Sequence, residues 1–307
     1  NFKSQVALSL PSAEEQLVSD VVLVLDKSTS MGLKEKALEM LQNLKKEVQE
    51  KGAKVKVGVV LFNKEAHTDG FMDLETQYEA IEAAICREIK SGTNLHAGIL
   101  AGKSMLDQDT GVADERKTLV VVSDGITYMF NENPTAVAWG FMADSPKHFA
   151  GPDNWNSKYG NNQAPADWNA WLTGIEARLS EQKDTHDYPY GTEPDVSLIT
   201  PVEEAGKYVN SIDKALYLSY EAYAQAASEG YHCYAMPIGS SAGESYPWGP
   251  SFVKYLADGK TVSFEDIKND ILYAVDRDST VEDYMGWVKD DYNFDLKSID
   301  RLTVGGR

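Results

Sequence analysis

Two apolar runs of the sequence each end in an aspartate, and this limits the folds that the chain can adopt. The first run, Val21–Asp26, reads Val-Val-Leu-Val-Leu-Asp, and the second, Lys117–Asp124, carries Leu and Val residues up to Ser-Asp. Uninterrupted β-branched and Leu residues are typical of central strands in a parallel sheet that helices cover on both faces. The carboxyl ends of such strands open into the crevice where doubly wound folds bind ligands. We therefore expect Asp26 and Asp124 at one edge of a sheet.

The rest of the chain alternates between strand-like and helix-like segments. This alternation predicts an α/β fold with a doubly wound, mostly parallel sheet flanked by helices. We predict strands at 5–11, 20–26, 55–62, 66–74, 117–124 and 231–238, and helices near 37–52, 74–85, 95–106, 211–229, 252–256 and 264–275.

The stretch 126–210 does not fit a minimal fold of this kind. It is rich in aromatic residues, Asn, Pro and Gly, and a connection of this length normally has a function or a structure of its own. We predict a short helix at 168–179 and a loop at 187–194. The chain then divides into an N-terminal extension strand (1–19), a main domain (20–276) that the insertion 126–210 interrupts, and an exit segment (277–307). The insertion leaves the sheet beside Asp124.

Hydroxyl side chains accompany the two aspartates. Ser28 and Ser30 follow Asp26 in a D-x-S-x-S pattern, and Thr93 lies in a polar turn that opens a predicted helix. Carboxylates and hydroxyls are hard oxygen donors, which favour Mg²⁺ or Mn²⁺ over zinc or copper. The alternative is a simple capping turn, because Asp and Ser are also favoured at helix starts.

This combination resembles the metal-ion-dependent adhesion site of von Willebrand factor A domains. In that family the ion is held by a D-x-S-x-S strand end, a threonine in an S/T-G-T-N/P turn and an aspartate in a V-x-S-D-G strand end. The matching residues are Asp26, Ser28, Ser30, Thr93 and Asp124. The resemblance implies a von Willebrand A or Rossmann-like fold with Mg²⁺ or Mn²⁺ as cofactor. It also implies a non-enzymatic adhesion domain, in which an acidic side chain of a protein ligand takes the open coordination position of the ion.

The exit segment extends the resemblance to A domains of Gram-positive surface and pilus-tip proteins, whose terminal extensions lead to stalk domains. This implies an extracellular location at the cell surface, anchored to the wall through parts outside this chain. The implied partners are a protein ligand, such as a host extracellular-matrix or cell-surface protein, and neighbouring stalk domains. An intracellular adaptor of an ATPase- or chelatase-like assembly is the alternative.

Aromatic residues of the insertion are the predicted contacts with the protein ligand, because exposed aromatic anchors dominate binding hot spots. A structural flap, whose aromatic residues pack only on each other, is the alternative. The candidates are Tyr128, Trp139, Trp155, Trp168 and Trp171.

Composition excludes several other partners. A formal net charge of -19 and a pI of about 4.6 would repel a phosphate backbone, so nucleic acid is not expected as a partner. No apolar run approaches the ~20 residues that span a bilayer, so we expect no membrane insertion. Cys86 and Cys233 are predicted to be free thiols rather than a disulfide.

Three enzyme or ion-binding patterns are only partly matched by the sequence. A phosphotransferase that starts from Asp26 needs a second acid two residues later, where the chain has Ser28. The segment 239–243 matches the G-x-S-x-G nucleophile elbow, but we expect no helix directly after it, and no histidine follows His232. The segment starting at Asp276 begins like a calcium loop, but it lacks the required glycine and glutamate.

Overall fold

The computed structural model describes residues 18–26, 31–51, 53–90, 92–139, 149–150, 163–181, 185–199 and 208–276. All of these residues belong to one compact unit. The predicted strand at 5–11, the exit segment 277–307 and the predicted site residues Ser28, Ser30 and Trp155 lie outside the described residues.

A five-stranded sheet lies at the centre of the described structure. Its strands are β1 (Val18–Asp26), β2 (Lys54–Phe62), β3 (Ala66–Asp73), β4 (Lys117–Ser123) and β10 (His232–Pro237). Their order is β10-β4-β1-β2-β3, and every pair is parallel except the β2–β3 hairpin. Since β1 is the central strand, its carboxyl end lies between those of β4 and β2.

Helices cover both faces of this sheet, which confirms the predicted doubly wound α/β class. They are α1 (Met31–Lys51), α2 (Tyr78–Cys86), α3 (Leu95–Gln108), α4 (Trp168–Glu181), α5 (Asp213–Ser228), α6 (Ser241–Ser245), α7 (Trp248–Leu256) and α8 (Phe264–Asp276). Alternate residues of β1 enter separate cores. Leu23 packs with α1, α2 and α8, whereas Val24 packs with α3, α4, α5 and α7.

The insertion forms a second sheet, which the sequence did not predict. Its strands are β5 (Met129–Phe130), β6 (Thr135–Trp139), β7 (Phe149–Ala150), β8 (Thr185–Pro189) and β9 (Val209–Ser211). The middle strand β6 pairs antiparallel with β5, β8 and β9. The loop predicted at 187–194 was wrong for its first residues, because they pair with β6, whereas the helix predicted at 168–179 is confirmed as α4.

The two cysteines agree with the prediction from the sequence. Cys86 and Cys233 are free thiols, and burial raises the pKa of Cys233 to about 12. Among the described helices, none has the length and apolar character needed to cross a membrane.

Candidate metal centre

Asp26 and Ser123 join the ends of the two central strands. β1 and β4 run parallel with Leu25 opposite Val122, so both strands end at the same edge of the sheet. The Asp26 side chain is fully buried, and the Ser123 hydroxyl donates a hydrogen bond to its Oδ2 at 2.7 Å. Ser123 Oγ also accepts a hydrogen bond from the Gly125 amide at 3.0 Å. The strand register therefore places Asp124, the residue after Ser123, at the edge that holds Asp26.

Asp124 is buried and has two hydrogen-bond donors. The Ile126 amide donates to Oδ1 at 3.0 Å, and the Ser240 hydroxyl donates to Oδ2 at 2.7 Å. Ser240 follows β10, the neighbour of β4, so a third strand end contributes to the same edge. Ser240 is not among the ligands predicted from the sequence. Its position just after an apolar strand is visible in the sequence, but the pairing of that strand with β4 is not.

Two glycines allow the start of α7 to approach this edge of the sheet closely. Gly125 has a φ of +72°, and a Cβ there would lie 2.1 Å from the carbonyl oxygen of Gly249 at the start of α7. In the other direction, a Cβ on Gly249 would lie 2.6 Å from the backbone oxygen of Asp124. The Asp-Gly sequence at the end of β4 therefore reflects a close approach of α7 to the backbone beside Asp124.

The turn that carries Thr93 is fixed by its neighbours. Gly92 has a φ of +83°, and the Asn94 side chain caps α3 by accepting a hydrogen bond from the Ala97 amide at 3.0 Å. Thr93 itself is buried, and its carbonyl oxygen lies 3.4 Å from Oγ1 of Thr127. Thr127 follows Asp124 by three residues. The segment after β4 thus contacts the Thr93 turn, while the last residue of β4, Ser123, contacts the end of β1.

The structure therefore brings three of the predicted ligands, Asp26, Thr93 and Asp124, to one edge, with Ser240 as an addition. Their side chains offer carboxylate and hydroxyl oxygens, and the contacts above give the two buried carboxylates hydroxyl and amide donors. Buried negative charge of this kind needs compensation, and hard oxygen donors fit a cation such as Mg²⁺. Among the described residues, no group of three or more His, Cys, Asp and Glu side chains is arranged to hold an ion. The predicted centre is of another kind, since it combines two carboxylates with hydroxyls.

Burial corrects the expectation that the insertion exposes its tryptophans. Trp139, Trp168 and Trp171 are 5%, 7% and 2% exposed. The Trp168 ring packs against Phe252 of α7 with centroids 5.3 Å apart, and its Nε1 donates to Ser251 Oγ at 3.0 Å. Trp168 and Trp171 pack α4 against the core, and all three buried tryptophans present little surface to a partner.

Tyr128 differs from the tryptophans because it is only partly buried. Its hydroxyl lies 3.2 Å from that of Tyr190, and the two rings meet edge to face at 5.7 Å. Tyr190 is 37% exposed. Tyr128 directly follows Thr127, which contacts the Thr93 turn. The Tyr128–Tyr190 pair is therefore a partly exposed aromatic surface that is close in sequence to the predicted metal site.

The segment after β10 contains one further correction. Ser241–Ser245 forms the short helix α6 directly after the Gly239-Ser240 turn, where the sequence analysis expected no helix. Ser240 makes this start favourable, because its Oγ accepts a hydrogen bond from the Gly243 amide at 2.8 Å. The nucleophile elbow still lacks a later histidine in the sequence.

Comparisons with known proteins give a family match for part of the chain. Residues 21–126 match the family model of the von Willebrand factor type A domain, and this range includes all five predicted metal ligands. The resemblance stated from the motifs is confirmed for that part of the chain. No match was found among curated proteins.

Similar folds occur among solved structures of bacterial pilus proteins. The von Willebrand factor domain of the type V pili tip protein Mfa5 from Porphyromonas gingivalis is 16% identical, with 86% of this chain and 95% of that chain covered and a TM-score of 0.47. PilB minor pilin from Streptococcus sanguinis is 17% identical, with coverages of 87% and 63% and a TM-score of 0.45. The pilus adhesin SpaC from Lactobacillus rhamnosus GG is 15% identical, with coverages of 86% and 30% and a TM-score of 0.45. The chain thus spans less than a third of SpaC.

Proposed function

We propose that this chain is a metal-dependent protein-binding domain of a bacterial surface adhesin. The observation that carries the proposal is the junction of β1 and β4, where Ser123 ties the fully buried carboxylate of Asp26 to the residue next to Asp124. The family match over 21–126 supports the same assignment.

Asp26, Thr93 and Asp124 would hold the ion, together with Ser28 and Ser30 from the β1–α1 loop. The two aspartates would provide negative charge, and the hydroxyl groups would act as direct or water-mediated ligands. Mg²⁺ usually keeps several exchangeable waters when proteins bind it. The bound ion would supply an open coordination position for an acidic side chain of the ligand.

A lone carboxylate–metal contact is not selective, so the surrounding surface must discriminate between partners. Tyr128 and Tyr190 are suited to this role, because they are partly exposed, they contact each other, and Tyr128 lies four residues after Asp124. Tyrosine combines a large apolar ring with a polar hydroxyl, which explains its frequency at protein interfaces.

A small carboxylate can test the open coordination position without knowledge of the natural ligand. The chain would be loaded with Mn²⁺, and the relaxation rate of water protons would be followed while acetate is added, with acetamide as the neutral control. We expect acetate, but not acetamide, to lower the relaxation enhancement as it displaces a metal-bound water. Equal responses to the two compounds would contradict the proposal.

The location at a cell surface belongs to the same proposal, and so does the absence of enzymatic activity. The alternative is an intracellular adaptor of an ATPase- or chelatase-like assembly. A secretion signal and wall anchor encoded in the same gene would favour the adhesin, whereas an attached or adjacent ATPase module would favour the adaptor. A phosphatase assay on the Mg²⁺-loaded chain tests the enzymatic alternative, and we expect no turnover.

A further inference from the structure

Two lysines, Lys64 and Lys90, lie next to the turn that carries Thr93. Asp26 and Phe62 are register partners at the carboxyl ends of β1 and β2, so Lys64, two residues after Phe62, lies at the edge of the sheet that holds Asp26. Lys90 precedes Thr93 by three residues in the segment that forms the turn. These two edge lysines therefore border the predicted metal centre.

Two asparagines fix the backbone around the edge lysines. Asn63 Nδ2 donates a hydrogen bond to the carbonyl oxygen of Lys90 at 2.7 Å, and Asn94 Nδ2 donates to that of Lys64 at 3.1 Å. The Asn94 amide also donates to the Asn63 carbonyl oxygen at 2.7 Å. Cβ of Lys64 lies 2.8 Å from the position that a Cβ on Gly92 would occupy. The side chain of Lys64 therefore starts against the turn that holds the predicted threonine ligand.

The side chains of the edge lysines are exposed and weakly paired. Lys64 is 48% exposed, and its Nζ lies 3.6 Å from Oε1 of Glu65, which is 49% exposed. An exposed ion pair of this kind contributes little, so a carboxylate of a ligand can replace it. Lys90 is exposed and has no ion pair among the described residues. Arg87 differs from both lysines, because its guanidinium is bound to Asp69 at 2.8 Å.

The charge around this turn differs from that of the whole chain. The chain has 48 acidic and 29 basic residues, whereas segments 63–65 and 87–94 together contain two acidic and three basic residues. At physiological ionic strength, screening limits the interaction between exposed charges to about 8 Å. A ligand bound at this edge is therefore affected by the edge lysines more than by the net charge of -19.

We propose that the edge lysines bind a second carboxylate of the protein ligand. The preferred partner is then an acidic segment, with one carboxylate at the metal ion and another at Lys64 or Lys90. This inference rests on the proposed function, because the first carboxylate needs the ion. An ammonium group on a flexible lysine side chain acts as a point charge and does not demand one fixed carboxylate geometry. Charges at the rim of an interface contribute mainly to partner selection and association rate.

Pairs of blocked peptides test the second carboxylate on the Mn²⁺-loaded chain. One series carries two aspartates separated by linkers of increasing numbers of glycines, and the matched series has asparagine in place of either aspartate. The loss of water-proton relaxation enhancement, as metal-bound water is displaced, gives the affinity of each peptide. We expect at least one diacid peptide to bind roughly fivefold more tightly than its monoacid counterparts, which is the upper range for an exposed ion pair.

Variants of the edge lysines should remove this preference without loss of the metal. In the double variant Lys64→Gln, Lys90→Gln we expect equal binding of diacid and monoacid peptides, with Mn²⁺ affinity unchanged or higher because positive charge is removed. Glu65→Gln should strengthen binding of the diacid, since it removes the carboxylate that competes for Lys64. Lys260→Gln is the matched control and should keep the preference. Lys260 Nζ lies 3.5 Å from Asp258 Oδ2 in a similar exposed pair, but it follows the end of α7, whereas the start of α7 approaches the metal edge.

The outcomes distinguish a failure at the edge lysines from a failure of the proposed function. No preference for any diacid peptide, or the same preference in the double variant, would overturn the role of the edge lysines and leave the binding of a single carboxylate intact. Loss of Mn²⁺ binding in the double variant would also overturn it, because the lysines would then support the fold of the centre. If no peptide displaces metal-bound water from the unmodified chain, the proposed function and the role of the edge lysines are both wrong.

Discussion

Ser240 Oγ donates a 2.7 Å hydrogen bond to Oδ2 of Asp124 and so connects the loop after β10 to the end of β4. The Ile126 amide donates a hydrogen bond to Oδ1, so two donors orient the Asp124 carboxylate. Groups that orient a metal ligand in this way affect ion affinity even when they do not touch the ion. Ser240 is therefore a positioning residue of the predicted centre.

Replacement of Ser240 by alanine should weaken metal binding without unfolding the chain. Loss of an orienting partner typically reduces metal affinity by about tenfold or more, so we expect a reduction on the order of tenfold for Mn²⁺ in Ser240→Ala. Isothermal titration measures this change. Ser104→Ala is a suitable control, because that hydroxyl accepts an exposed hydrogen bond from Gln108 within α3. Unchanged affinity in the Ser240 variant would remove Ser240 from the centre.

The end of β4 should tolerate no side chain at position 125. A Cβ there would lie 2.1 Å from the Gly249 carbonyl oxygen, and the φ of +72° is unfavourable for alanine. We expect Gly125→Ala to lower the free energy of unfolding by about 3 kcal/mol or more, from backbone strain and overpacking. Urea denaturation measures this loss.

Gly174 provides the matched control for that measurement. It lies in α4, and a Cβ there would meet nothing within 4 Å. Alanine is favoured over glycine inside a helix, so Gly174→Ala should be neutral or more stable by up to about 1 kcal/mol. If the two variants unfold at the same urea concentration, α7 does not pack against the strand end as described.

Acid should destabilise the fold through His96. Burial lowers the pKa of His96 from 6.5 to about 4, and its Nδ1 accepts a hydrogen bond from the Asn131 amide at 3.0 Å. Between these two pH values the unfolded chain binds more protons than the folded chain, so stability is lost as the pH falls from about 6.5 towards 4. This difference in pKa amounts to about 3 kcal/mol at most.

Asn in place of His96 can accept the same hydrogen bond but does not titrate. His96→Asn should therefore lose less stability than the unmodified chain over this pH range, as measured by urea denaturation at a series of pH values. The two proteins must be compared because Asp20 also affects stability in this pH range. Burial raises the pKa of Asp20 to about 6, which stabilises the fold as the pH falls through that value; this opposes the effect of His96 and is common to both proteins. Parallel curves of stability against pH for the two proteins would contradict the predicted role of His96. The same substitution at the exposed His232 serves as the control.

The sequence predicted the central sheet and its polar edge well, for a physical reason. Val21–Asp26 and Lys117–Asp124 are buried on both faces, so their composition alone identifies them as central strands, and strand polarity then determines where Asp26 and Asp124 lie. Thr93 was predictable because Gly92 and Asn94 give its turn a local signature, a left-handed residue followed by a helix cap.

The insertion was predicted less well because its structure depends on partners distant in sequence. β6 pairs with β8 about fifty residues later, and strands as short as β5 and β9 have no periodicity to detect. Trp168 and Trp171 belong to a residue type that is common among binding anchors, but tertiary packing against α7 buries them. Ser240 was missed because its role comes from the neighbour relation between β10 and β4, which no local pattern shows.

The most direct test of the metal-dependent function is a titration of Mg²⁺ or Mn²⁺ into the chain and its Asp26→Asn variant. Asparagine keeps an acceptor for the Ser123 hydroxyl while removing the charge, and Asp258→Asn is the control because that side chain is 87% exposed. We predict saturable binding of a single ion by the unmodified chain and by Asp258→Asn, and no measurable binding by Asp26→Asn with an unchanged circular dichroism spectrum. Equal affinity in all three proteins, or no binding by the unmodified chain, would contradict the proposed function.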